Sequence, residues 1–168
     1  MDATIELHKV KGSAATITEI AQRAGVGRVT VYRHFPDEAA LFAACSGHYF
    51  SEHPLPDLAR WRTIADPRAR LREALSESWG WHEENRQMMT VALAETRDLP
   101  IMAPYHRYWD EAAELLAEPW RRRGKRRAAL KAAIALSLSF DSRRTLVEEQ
   151  GLAVDEAIEL LIRFAESA

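Results

Sequence analysis

The stretch that most constrains the fold of this chain is Thr16–Phe35, TITEIAQRAGVGRVTVYRHF. Thr16 and Glu19 are spaced as a capping box, in which a threonine oxygen and a glutamate carboxylate satisfy amide donors at a helix start. Ile17, Ile20, Ala21 and Ala24 then recur at helical spacing, with Ala21 small where a second helix must come close. Gly25 follows the last periodic residue and accepts the left-handed backbone of a helix C-cap without strain at Cβ. Gly27 starts the next helix, in which Val31 and Phe35 share one face while Arg28, Val29, Tyr32 and Arg33 share another. Pro36 disfavours helix at Phe35, and Asp37 caps a third helix running through Ala39, Leu41, Phe42 and Cys45. Two short helices across a tight glycine turn, with a third in support, make a helix-turn-helix pattern.

The run AGVGRVTVYRHFPDEAALF resembles the DNA-binding signature of the TetR family of bacterial transcriptional regulators. The specific likeness covers roughly residues 12 to 50. The rest of the chain agrees with that family in length and helical character, as a divergent ligand domain does. The resemblance implies an N-terminal helix-turn-helix head over residues 1–50 and a helical-bundle ligand-binding and dimerisation domain over residues 51–168. Arg28 and Val29, near the N-terminus of the second motif helix, sit where contact with base edges in a major groove is easiest. By resemblance Thr30, Tyr32, Arg33 and His34 contact backbone phosphates, and Thr18 on the first motif helix joins the DNA contacts. The alternative for the same residues is a plain solvated helix face.

Charge supports this locally rather than globally. Over residues 1–50, Lys9, Lys11, Arg23, Arg28 and Arg33 balance Asp2, Glu6, Glu19, Asp37 and Glu38. A DNA-reading face needs local basicity, which Arg28 and Arg33 supply beside the hydrogen-bonding groups of Thr30 and Tyr32. Two departures from the family pattern stand out. Glu38 occupies the place of a lysine that commonly grips phosphate just after the second helix, so weaker binding is expected. Only eleven residues precede Gly12, so ATIELHKVK is expected to supply just the last turns of an apparently truncated first helix.

Composition argues against disorder: 47% of the 168 residues are hydrophobic. The single cysteine, Cys45, excludes an intrachain disulfide and is expected to be a small buried residue. No leader pattern opens the chain, and the apolar run Ala132–Phe140 is too short to span a bilayer, so a cytoplasmic protein without a membrane partner is expected.

SEHPLPD, with two prolines, marks a hinge near residues 51–57. Beyond it the apolar periodicity predicts helices over Leu58–Ile64, from Pro67 through His82, and over Arg86–Arg97, Met102–Arg122, Lys125–Glu149 and Val154–Ser167. No strand alternation is present, and the expected fold class is all-α.

In the last of these helices Val154, Ala157, Ile158, Leu160, Leu161, Ile162, Phe164 and Ala165 cover about 200° of arc at 100° per residue, roughly twice the stripe that one core requires. The preceding helix offers small residues from Ala128 to Ser139. Two copies of this helix pair suit a four-helix homodimer interface, and a two-fold dimer would present two reading helices to a palindromic double-stranded operator. A terminal helix buried inside a monomer is the competing reading.

Trp79, Trp81, His82, Met88, Met89, Tyr105, His106, Tyr108 and Trp109 form an aromatic-rich region that reads either as core or as the walls of a small-molecule pocket. Since members of the family commonly hold an effector in this bundle, Trp79, His82, Met89, Tyr105 and Trp109 are the expected contacts of an unknown effector. Pro100 and Pro104 are expected to interrupt helix and leave an irregular mouth. RRRGKRR, Arg121–Arg127, reads as a solvated connector in which Gly124 caps the preceding helix and the arginines complement its negative end. His82, Glu83 and Glu84 point in different directions on a helix and cannot converge on one ion, so neither metal nor cofactor is expected. The chain also lacks a glycine-rich phosphate loop and an activated-nucleophile motif, which argues against an enzyme. The expected function is a repressor released from its operator by a small molecule. The alternative is a dimeric ligand-binding or interaction protein whose shortened head has lost DNA binding.

Overall fold

The computed structural model describes residues 1–168, with the side chain of Ser13 left aside. Among the described residues every regular element is helical: α1 Asp2–Lys11, α2 Ile17–Arg23, α3 Arg28–His34, α4 Glu38–Glu52, α5 Leu58–Arg62, α6 Pro67–Glu84, α7 Arg86–Glu95, α8 Ala103–Ala117, α9 Gly124–Leu138, α10 Phe140–Arg143 and α11 Val154–Ser167. Among the described residues no helix is long and apolar enough to cross a membrane.

The chain forms two compact units. The first comprises Met1–Pro54 together with Asn85–Ala103, so α7 packs with the head helices rather than continuing the second unit. Its core is Ile17, Ile20, Ala21, Val31, Leu41 and Cys45, with Ile5, Leu7 and Phe35 packed around them. Burial raises the pKa of the Cys45 thiol and leaves it a small hydrophobe. The Tyr49 hydroxyl of α4 donates to the Asn85 side chain at 2.5 Å, tying the Asn85–Ala103 segment to the head through a buried hydrogen bond.

The second unit comprises Leu55–Glu84 and Pro104–Ala168. Trp61, Leu71, Leu75, Trp79, Leu116, Leu130, Ile134, Ile158 and Ile162 anchor its core. Here α6, α9 and α11 pack on one another. The buried Arg70 guanidinium ties the α5–α6 corner together by donating to the carbonyls of Ile64 at 2.7 Å and Arg62 at 3.2 Å.

Two expected helices end differently. The helix expected over Lys125–Glu149 breaks at Ser139, whose extended backbone ends α9 and whose hydroxyl accepts from the Ser142 amide at 3.1 Å to start α10. A serine side chain competes well for backbone donors, and here it wins over helix continuation. A π-helical turn, Arg144–Glu149, completes the segment. The helix expected over Met102–Arg122 ends at Ala117, before a 3-10 turn at Glu118–Trp120, because Pro119 disfavours helix in the residue before it. Arg121, at φ 53°, takes the left-handed cap position expected of Gly124, and Gly124 opens α9 instead. Pro104 does not break helix; it lies in the first turn of α8, where its missing N–H costs nothing.

Candidate nucleic-acid interface

The α2–α3 turn is built by local chemistry. The Thr16 hydroxyl accepts from the Glu19 amide at 3.3 Å while the Glu19 carboxylate accepts from the Thr16 amide at 3.0 Å, completing the capping box. Lys11 pairs with the same carboxylate. That ammonium first, and the Thr16 donors next, pull the Glu19 carboxyl down to about 2. At the other end of α2, the Val26 amide donates to the Ala21 carbonyl at 3.0 Å and the Gly25 amide to Gln22 at 3.1 Å, with Gly25 at φ 68°. That is a Schellman motif, and its left-handed residue is the reason for glycine.

The turn delivers α3 with Val31 buried in the head core. Pro36 follows the extended Phe35, and the Asp37 carboxylate accepts from the Ala40 amide at 2.7 Å to open α4. On the outer side, Arg28, Val29, Tyr32, Arg33 and His34 are exposed, Val29 by 82%, while Thr30 is half-buried. Thr18 is exposed on α2.

The charges of the head sort themselves in a way that net charge hides. Lys11 pairs with Glu19, Arg23 with Glu6 and His48 with Asp2. Lys9 lies over the Tyr49 ring at 5.8 Å. Arg28 and Arg33 have no ion-pair or hydrogen-bond partner among the described residues. Ion pairs therefore offset Lys11 and Arg23, and the field of the α3 arginines is left to act outward.

Of the five residues expected to hold an effector, four gather in the second unit. His82 and Trp109 lie 5.1 Å apart between ring centres, Tyr105 and Trp109 6.0 Å, and the His82 Nε2 is 3.3 Å from the Tyr105 hydroxyl. Trp79 donates its indole N–H to the Ser137 carbonyl at 3.0 Å. His82 is fully buried, and burial first, then the Arg143 charge, lower its pKa to about 3. Its Nδ1 and the Trp109 Nε1 are buried without a hydrogen-bond partner. Met89 belongs to the first unit and lines a recess of about 70 Å³ there.

Sequence reasoning missed a larger groove in the first unit, about 680 Å³, walled by α1, α4, α7 and the turn Pro100–Met102. Pro100 was the available signal, since an irregular segment was expected around it.

Residues 1–45 match the family model for bacterial regulatory proteins of the tetR family. Two solved structures are similar over nearly the whole chain. One is a TetR-like transcriptional regulator from Rhodococcus sp. RHA1, 24% identical, covering 98% of this chain and 90% of that one, with a TM-score of 0.62. The other is a TetR transcription regulator from Haloarcula marismortui ATCC 43049, 20% identical, covering 99% and 92%, with a TM-score of 0.61. At these identities the likeness is one of fold. No curated protein matches the chain.

Proposed function

We propose, from the premise that this chain is a member of the tetR family of bacterial regulatory proteins, that it represses transcription by binding a palindromic operator as a homodimer and leaves the operator when a small molecule binds. One observation carries the DNA-binding part: Arg28 and Arg33 stand exposed and unpaired on the outer face of α3, while Lys11, Arg23 and His48 are matched internally. Residues 1–50 are the DNA-binding part in this reading. Arg28 and Val29 address base edges, and Thr18, Thr30, Tyr32, Arg33 and His34 hold phosphates or sugar. Residues 51–168 carry ligand binding and dimerisation.

Dimerisation through α9 and α11 is supported by what these helices leave in solvent. Leu160 is 41% exposed, Phe164 45% and Leu136 54%, beside exposed Ala128, Ala132 and Ala135. Small residues next to large apolar ones let two helix pairs approach closely. The effector contacts are Trp79, His82, Tyr105 and Trp109, where an orphaned imidazole nitrogen and indole N–H give a ligand two buried polar groups to satisfy; Met89 contacts a ligand through its own recess.

Fluorescence anisotropy of the chain with random-sequence duplex DNA over a salt series tests DNA binding. The expected result is affinity that falls steeply and linearly with salt on logarithmic axes. Absence of any salt-dependent binding to duplex DNA overturns the proposal in favour of a dimeric ligand-binding protein without a DNA target.

A further inference from the structure

The outward face of α11 carries two opposite charges beside its apolar side chains, and their order along the helix selects a partner. At about 100° per residue, Glu156, Leu160, Arg163 and Phe164 share roughly a quarter of the helix circumference, and all four are exposed. Glu159 and Glu166, the acids one turn before and after Arg163, are held by α6 instead: Arg68 pairs with Glu166 at 2.7 Å and with Glu159, and Arg72 also pairs with Glu159. Arg163 is thus left without an ion-pair or hydrogen-bond partner among the described residues. One Glu156 oxygen accepts from the Ala153 amide at 3.2 Å, and the carboxylate forms no ion pair among the described residues. Glu156, Leu160 and Arg163 all border one open recess of about 600 Å³, so the two charges flank a hollow with an apolar wall.

We propose that the occupant of this face is α11 of a second copy, running antiparallel, with the Arg163 of each chain paired to the partner's Glu156. This rests on the dimer proposed above and adds the direction of its helices and the source of its selectivity. A two-fold axis perpendicular to the helices reverses height along α11 and keeps lateral position. Glu156 and Arg163 stand two turns apart on the same flank of Leu160, so an axis level with Leu160 brings each Arg163 beside the partner's Glu156. Leu160 then meets the partner's Leu160 and fills the hollow between the charges. A parallel arrangement would set Glu156 against the partner's Glu156 and Arg163 against the partner's Arg163, two contacts between like charges. A guanidinium desolvated beside Leu160 and Phe164 needs a carboxylate across the interface, because its own helix has none to spare. The same charge order rejects helices whose apolar stripe carries a different one.

Sedimentation equilibrium of the full chain, with native mass spectrometry of mixed variants, tests the pairing. Glu156→Arg and Arg163→Glu, each alone, create two like-charge contacts per homodimer and are expected to weaken it about tenfold. The double variant Glu156→Arg with Arg163→Glu restores both contacts and is expected to dimerise within about threefold of wild type. Because Glu156→Arg also removes the contact to the Ala153 amide, recovery in the double variant separates pairing from helix capping. An equimolar mixture of the two single variants is expected to hold more mixed dimer than random pairing gives. Single variants that dimerise like wild type, or a double variant as weak as the singles, would overturn the proposal. The variant Leu160→Glu with Phe164→Glu separates this failure from that of the underlying dimer. If it is monomeric while the charge variants change nothing, only the antiparallel pairing falls; if it stays dimeric, or wild type is itself monomeric, the interface falls and the pairing with it.

Discussion

His82 converts a structural detail into a measurable pH dependence. Its ring is fully buried between Trp81, Trp109 and Phe140, with the Arg143 guanidinium and the Asp141 carboxylate as the charges that act on it. Desolvation first and Arg143 second lower its pKa from 6.5 to about 3, while Asp141 pulls it the other way. In the unfolded chain the imidazole returns to its ordinary value. Between these two values the unfolded state binds the proton and the folded state does not, so stability rises with pH through that window and is lost as pH falls from 6.5 towards 3. Each pH unit below 6.5 costs about 1.4 kcal/mol. Going from pH 7 to pH 5, where the folded ring is still neutral, His82 alone removes about 2 kcal/mol. All five tryptophans lie in the second unit, so their fluorescence follows its unfolding in urea. Wild-type protein should lose about 2 kcal/mol more than His82→Gln over this interval, since glutamine keeps a polar group near Tyr105 and does not titrate. An equal loss in both proteins would refute the reasoning, because every other titrating group is common to them.

The remaining expectations concern assembly and DNA. Arg33→Ala should weaken binding to all duplexes alike and reduce the logarithmic salt slope by about 1, whereas Arg28→Ala should cost about 1–3 kcal/mol on a preferred site and relax its sequence preference, both read by anisotropy titration. Glu38→Lys should tighten DNA binding and steepen the salt slope by about 1, since it removes a carboxylate just past α3 and supplies a phosphate donor; unchanged affinity would mean that α4 starts too far from the DNA. Replacing both Leu160 and Phe164 by Glu should shift the sedimentation profile from dimer to monomer without loss of helicity, and an unshifted profile would place the interface elsewhere.

Much of the head was legible because its determinants are local. A capping box spans three residues, the Schellman turn needs one glycine at a fixed place, and Pro36 with Asp37 mark the next start. Each is decided by neighbours in the chain, and Thr16, Gly25 and Asp37 do in the structure what their spacing implies. The same holds for the bounds of α11, where the strong apolar periodicity over Val154–Ser167 matches the helix in the structure. What stayed hidden depends on partners far along the chain. Ser139 ends α9 with its own hydroxyl, beside a Ser137 carbonyl already engaged by Trp79, and no periodicity in Lys125–Glu149 signals that competition. Asn85–Ala103 joins the first unit through packing of α7 on α1 and the bond to Tyr49. The large groove draws its lining from His8 to Met102 and so has no contiguous signature. Aromatic spacing pointed to His82, Tyr105 and Trp109, which the structure brings into contact, and to Trp79 in the same unit, but could not say that Met89 belongs with α1 and α4.

The central claim is that α3 reads a paired operator through Arg28 and Arg33. Selection of bound fragments from a random duplex pool, run in parallel with wild-type protein and the Arg28→Ala, Arg33→Ala double variant, tests it directly. Wild-type protein should enrich two inverted half-sites whose centres lie about one helical turn or a multiple of it apart, and the double variant should enrich none. A pool that shows no paired half-site with wild-type protein, or the same motif with both proteins, would contradict the account.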